Sequence, residues 1–192
     1  MLLLNLLFGE YSRFMPMIQK GFKILITTRL PKYEFQTLSI GVASDFYHDI
    51  TALFQKTYVI NTTIFSIPRF YITFSFQSIA ASTVAHGKAR GRNTLGVAEK
   101  AQRWLCLTNT GAPPSGDQVT LPLSISFMKR VVDMAKAKGR FELYLFLNDA
   151  GIDQKVIATY GDAQVKELVK VSKKYDSKGV FQKLTKGGFT LP

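Results

Sequence analysis

The sequence predicts an α+β domain in which a mostly antiparallel sheet is backed by helices on one face. Three observations predict it. Phe70, Ile72, Phe74 and Phe76 alternate with Tyr71, Thr73, Ser75 and Gln77, the period of a strand with one greasy and one hydroxyl-rich face. Phe46, Ile50, Leu53 and Phe54 recur at offsets of four, seven and eight, the stripe of a helix face. The strands are separated by loops and hairpin-like stretches as often as by helices, which disfavours a βαβ repeat.

Taken in order, Phe22–Thr28 is a β-rich run ending before Pro31, and Phe35–Val42 reads as a second strand. Ser44 or Asp45 can cap the helix that follows. After the strand at Phe70–Gln77, residues 82–102 are polar and contain Gly87, Gly91 and Gly96, predicting a loop or glycine-rich hairpin. Arg103–Thr108 returns as a strand, and Thr110–Asp117 is a turn-rich loop. A helix is predicted from Thr120 to Lys138, with Leu123, Phe127, Val131 and Met134 inward, Pro122 in its first turn and Gly139 as its stop. Phe141–Leu147, apolar except for Glu142, reads as a strand buried on most of both faces. A final helix spans Asp162–Lys174, with Val165, Leu168, Val169 and Ser172 inward.

The chain has 192 residues and is 46% hydrophobic, enough for one globular core. Its 25 Lys and Arg against 13 Asp and Glu give a net charge of +12. The cations are spread along helix faces, and there is no zinc-finger, RNP-type or basic-zipper pattern, so nucleic acid is not expected as a partner. The single cysteine, Cys106, lies in an apolar run and reads as a small buried side chain. The two histidines, His48 and His86, do not sit near a metal-ligand set, and no metal is expected. The apolar start, Met1–Phe8, is shorter than the ~20 residues of a membrane span and lacks the marks of a clear signal peptide. It is expected to pack as a first strand or helix, and the compartment is left open.

No dinucleotide fingerprint, P-loop, nucleophile elbow or zinc-protease motif is present. Gly87-Lys88-Ala89-Arg90-Gly91-Arg92-Asn93 places cations among glycines without the strand-to-helix setting of a phosphate cradle. Asp149 and Asp153 suit caps or turns as well as acid–base work.

The last third carries a more specific signal. Leu145-Phe146-Leu147-Asn148-Asp149-Ala150 is followed by Gln154, Tyr160-Gly161, Tyr175-Asp176-Ser177-Lys178-Gly179-Val180-Phe181-Gln182 and Gly187-Gly188-Phe189. Upstream stand Ser44-Asp45-Phe46, Phe74-Ser75-Phe76-Gln77-Ser78-Ile79-Ala80 and Gly91-Arg92-Asn93-Thr94-Leu95-Gly96. In collinear order these resemble the C-terminal part of the berberine-bridge-like FAD-linked oxidoreductases, in the form common in fungal secondary metabolism. The resemblance runs from Ser44 to Phe189, so it divides the chain into a weakly matched segment, 1–43, and a substrate domain with its tail, 44–192.

The resemblance implies a helix-backed antiparallel sheet that covers the flavin ring and supplies the substrate pocket. It assigns Asn148 and Phe146 to the cofactor, and Gln77, Tyr71 and Tyr144 to a small hydrophobic secondary metabolite. It implies FAD, while the family's flavin-binding half is not found in the sequence. The expectation is therefore a truncated, substrate-domain protein without independent redox activity, which self-associates or pairs with a flavin-domain chain. The alternative is a small non-redox enzyme, an isomerase or cyclase, or a small-molecule-binding protein using the inherited pocket. The sequence departs from the pattern at Ser78 and Ala80, where prolines are lost, and at Arg92, where a glycine is.

Overall fold

The computed structural model describes residues 32–192, except 61–63, 65–66, 68–69, 92–93, 112–116 and 185–187. The expected strand Phe22–Thr28 and the apolar start Met1–Phe8 lie outside the described residues, as do Arg92, Asn93 and most of the Thr110–Asp117 loop. The residues from Tyr33 on form one compact unit.

Four strands make one sheet in the order β2-β3-β1-β4: β1 is Lys32–Gly41, β2 Tyr71–Ile79, β3 Gln102–Gly111 and β4 Phe141–Glu142. β2 pairs antiparallel with β3 over nine positions, from Tyr71 opposite Thr110 to Ile79 opposite Gln102. β4 pairs antiparallel with β1 through Ser39–Glu142 and Ile40–Phe141. The helices are α1 (Ser44–Phe54), continued by a π-helical turn at Gln55–Val59, then α2 (Ala81–Ala89), α3 (Asp117–Ala137), α4 (Asp162–Tyr175) and α5 (Val180–Leu184). This is the α+β, mostly antiparallel class that the sequence predicts.

The main core lies where α1 and α3 back the sheet. Phe46, Ile50 and Leu53 of α1 meet Phe127, Met128, Val131 and Ala135 of α3 over Leu38, Ile40, Leu105 and Leu107. The aromatic face of β2 closes it: Phe54 lies 4.5 Å from Phe74 and Tyr47 5.0 Å from Phe76, centroid to centroid. Lys138 ties the end of α3 to α1 through Asp49 at 2.5 Å.

Side chains alternate along β3, so Trp104 points away from this core. With Tyr144, Val156 and Tyr160 it forms a second cluster. Ile79, Leu95, Phe146, and Val165 and Leu168 of α4 pack around it.

Four local expectations are corrected. Residues 82–102 are not all loop, because Ala81–Ala89 is helical. Three alanines outweigh Gly87 in so short a helix, and only Val84 is buried there, which removes the amphipathic stripe that would have announced it. Pro122 lies in the second turn of α3, not the first, because the helix already begins at Asp117. The buried stripe of α3 runs through Ser124, Phe127, Met128, Val131 and Ala135, with Leu123 and Met134 on its flanks. The strand expected over Phe141–Leu147 stops after Glu142, and Leu143 is 59% exposed.

The reason for that early stop is chemical. Continuing the β1–β4 register would set the Tyr144 backbone opposite Thr37. The Gln154 side chain holds that place instead. Its Oε1 accepts from Thr37 N at 3.0 Å and from Gly151 N at 2.9 Å, and its Nε2 donates to Thr37 O at 2.8 Å. One carboxamide thus presents the same donor and acceptor as a strand peptide. Gly151 makes the approach possible, since a Cβ there would collide with Gln36 Nε2 and come within 2.6 Å of Phe35 O.

We therefore expect Gly151→Ala to lower stability by about 2–4 kcal/mol, as an overpacked, immovable contact does. Gln154→Leu should cost about 2–3 kcal/mol, because it strands the Thr37 and Gly151 backbone groups. Urea unfolding of both variants measures this, with an unchanged midpoint as the opposing result.

Candidate functional site

The cross-strand register sorts the β2–β3 side chains into two faces. Phe74 with Leu107 and Phe76 with Leu105 turn to the main core. Thr73 with Thr108, Ser75 with Cys106 and Gln77 with Trp104 share the other face. At the Gln77 end, that face meets the segment leaving β4.

The second cluster fixes this meeting. Trp104 stacks on Phe146 at 4.6 Å and 26°, and Tyr144 lies 5.1 Å from Trp104 and 5.7 Å from Tyr160. Aromatic contacts of this kind add about 0.5–1.5 kcal/mol each beyond burial. Leu145 N donates to Thr159 Oγ1 at 3.1 Å, fastening the segment to the 3-10 turn Ile157–Tyr160. Below it, Gly96 adopts φ +68°, where a Cβ would collide with Tyr160 O, so only glycine admits that approach. After Phe146 the chain makes a 3-10 turn, Leu147–Asp149.

That turn delivers a polar corner. Gln77 Nε2 donates to Asp149 Oδ2 at 2.8 Å, linking positions 72 apart in sequence. Asn148, the turn's middle residue, is exposed. Cys106 lies alongside, 8% exposed, with Sγ 3.5 Å from Thr108 Oγ1. Burial pushes the Cys106 thiol up, the Thr108 contact offsets part of this, and the Asp149 charge pushes it further up. A thiol so placed stays protonated near neutral pH and is a poor nucleophile.

The residues singled out from sequence are thus partly gathered. Gln77, Phe146 and Asn148 surround one corner. Phe146 turns its ring onto Trp104. Tyr144 is 4% exposed within the second cluster, and burial, with Tyr160 beside it, raises its phenol pKa. Tyr71 stands at the opposite end of β2, 61% exposed and paired across to Thr110. Sequence reasoning missed Asp149 as the partner of Gln77 and Trp104 as the anchor. An Asp after a strand reads as a cap, and a tryptophan's facing cannot be known before the register is. Among the described residues there is no group of three or more His, Cys, Asp or Glu placed to hold a metal ion, and no helix long and apolar enough to cross a membrane.

Comparison with known proteins gives a consistent picture. No family model matches the sequence, and no solved structure does. Part of the chain is similar to fungal proteins, several of them named as FAD-dependent monooxygenases. An FAD-dependent monooxygenase of Arthrobotrys oligospora is 38% identical over 113 residues, covering 59% of this chain and 22% of that protein. The bifunctional solanapyrone synthase of Alternaria solani is 31% identical over 115 residues, covering 60% and 22%. An FAD-dependent monooxygenase of Aspergillus niger is 34% identical over 110 residues, covering 56% and 19%. The chain spans about a fifth of the length of these relatives. The similarity is to a flavin-linked oxidoreductase group.

The thiol's surroundings can be tested directly. Asp149→Asn removes a charge that disfavours the thiolate, so Cys106 alkylation should begin to rise at lower pH than in the unmodified protein. Iodoacetamide labelling followed by mass spectrometry across pH 7–10 reads this. Coincident profiles would place Asp149 too far from the sulfur to matter.

Proposed function

We propose that the unit from Tyr33 on is a substrate domain of the berberine-bridge-like, FAD-linked type, and that its Gln77–Asn148–Asp149 corner is the wall facing the isoalloxazine ring and a small hydrophobic secondary metabolite. The observation that carries the reading is the Gln77–Asp149 bond, which joins the two segments that resemble the family's pocket strand and its flavin-approaching strand end. Two of the named relatives are FAD-dependent monooxygenases, which supports the flavin-linked part of the reading.

The corner suits part of the cofactor. An exposed Asn148 amide offers a donor and an acceptor to the polar edge of a ring, and Gln77, held by Asp149, keeps its carboxamide in a fixed plane. Trp104 and Phe146 brace the turn from behind. Among the described residues no glycine-rich strand-to-helix turn offers a cradle for the pyrophosphate. FAD's phosphates and adenine would then be held by another domain or chain, with which this face pairs. When bound, the flavin supplies hydride acceptance. The residues of this unit orient the ring edge and the substrate and exclude water, and the unit alone has no redox turnover.

Trp104 is the chain's only tryptophan, so its emission reports on the corner. We expect riboflavin to quench it saturably, and Asn148→Ala to weaken binding about threefold to tenfold, the loss of one or two hydrogen bonds. FAD should bind no more tightly than riboflavin at 0.3 M NaCl, where non-specific attraction to the basic surface is screened. Stoichiometric retention of yellow FAD, or no quenching by either ligand, would contradict the reading.

A further inference from the structure

The outer edge of β2 stands out. In the sheet order β2-β3-β1-β4, β2 is an edge strand, and among the described residues nothing pairs with its outer side. Folded proteins usually blunt such an edge with a lysine, a proline, a bulge or a short strand. β2 has none of these. Tyr71–Ile79 is nine residues long, carries no Lys, Arg, Asp, Glu or Pro, and runs opposite β3 without a bulge. Its two faces are sharply unlike. Phe74 and Phe76, in T-shaped contact at 5.6 Å, are only half-buried. Ser75 and Gln77 are exposed.

The strand is also complementary to itself. An antiparallel pairing of two copies about a two-fold axis at Ser75 is the register that uses all nine positions. It sets Phe74 opposite Phe76, Thr73 opposite Gln77 and Tyr71 opposite Ile79, like against like, and leaves Ile72 opposite Ser78 as the one mismatched pairing. Cross-strand aromatic pairs and aromatic–β-branched pairs are favourable in such positions, and no like charges are brought together. We infer that β2 is a dimerisation edge, and that two copies of this chain join their sheets through it, Ser75 to Ser75. The axis is perpendicular to the sheet, so the phenylalanine face of each copy continues the other's main core. The closed symmetry buries both β2 edges and leaves neither for a further copy.

The chain's charge of +12 opposes association at low salt, so the test is run at 0.3 M NaCl. Light scattering after size exclusion should give twice the 21.5 kDa chain mass. Ser75→Lys places two ammonium groups face to face at the axis, and should return the mass to one chain with the circular dichroism spectrum kept. A cysteine pair checks the register. In a Cys106→Ser background, Ser75→Cys should form an intermolecular disulfide on mild oxidation. Ser78→Cys should not, because Ser78 faces Ile72 of the other copy. A single-chain mass at every concentration overturns the inference and leaves the edge to a strand from another polypeptide. Equal cross-linking at positions 75 and 78 overturns it as well, by showing contact without register.

Discussion

The stack of Trp104 on Phe146, with Tyr144 and Tyr160 behind, is the interaction on which the candidate site depends. The Leu147–Asp149 turn has no ladder to hold it, because β4 ends at Glu142. What holds it is a row of aromatic rings anchored on a central β3 residue. The polar corner is therefore built on an apolar foundation: Trp104 is opposite Gln77 in the register, and the residue it stacks on immediately precedes the turn that bears Asn148 and Asp149. A site whose members are placed by packing in this way is fixed more firmly than one carried by a free loop.

The sheet solves a related problem at its other side. β1 lies between β3 and β4, and its Gln36, Thr37 and Ser39 are buried along with Leu38 and Ile40. Buried backbone needs partners, and the short β4 leaves Thr37 without a strand on that side. The Gln154 carboxamide fills that gap, while Gln36 Nε2 donates to Asp153 Oδ1 at 2.6 Å. The loop after the turn is thus welded to β1 by side chains. Truncating β4 frees Tyr144, Leu145 and Phe146 to leave the sheet plane and reach Trp104. The early end of the strand and the existence of the corner are two aspects of one arrangement.

Where sequence reading succeeded, a single periodicity dominated. Phe70–Gln77 alternates cleanly because one face meets the main core and the other meets polar surroundings. The α1 stripe is legible because Phe46, Ile50 and Leu53 all enter one core. Phe141–Leu147 misled because its apolar residues serve two destinations. Phe141 packs against the main core and Phe146 against the second, and an unbroken apolar run does not reveal that split. Helix α2 was hidden because it buries only Val84. For the site, the resemblance pointed to Gln77 and Asn148. The bond between Gln77 and Asp149 depends on tertiary packing, so no local pattern announces it. Tyr71 and Tyr144 share a residue type and not a setting, since one is at the exposed end of β2 and the other inside the second cluster.

The dependence of the corner on the aromatic stack can be measured by amide hydrogen exchange of Trp104→Leu against the unmodified protein. We expect faster exchange confined to residues 143–160, with the amides of β1, α1 and α3 keeping their protection. Unchanged protection of the Leu147–Asp149 turn, or an equal loss across the whole sheet, would contradict the claim that this stack is what positions Gln77, Asn148 and Asp149 together.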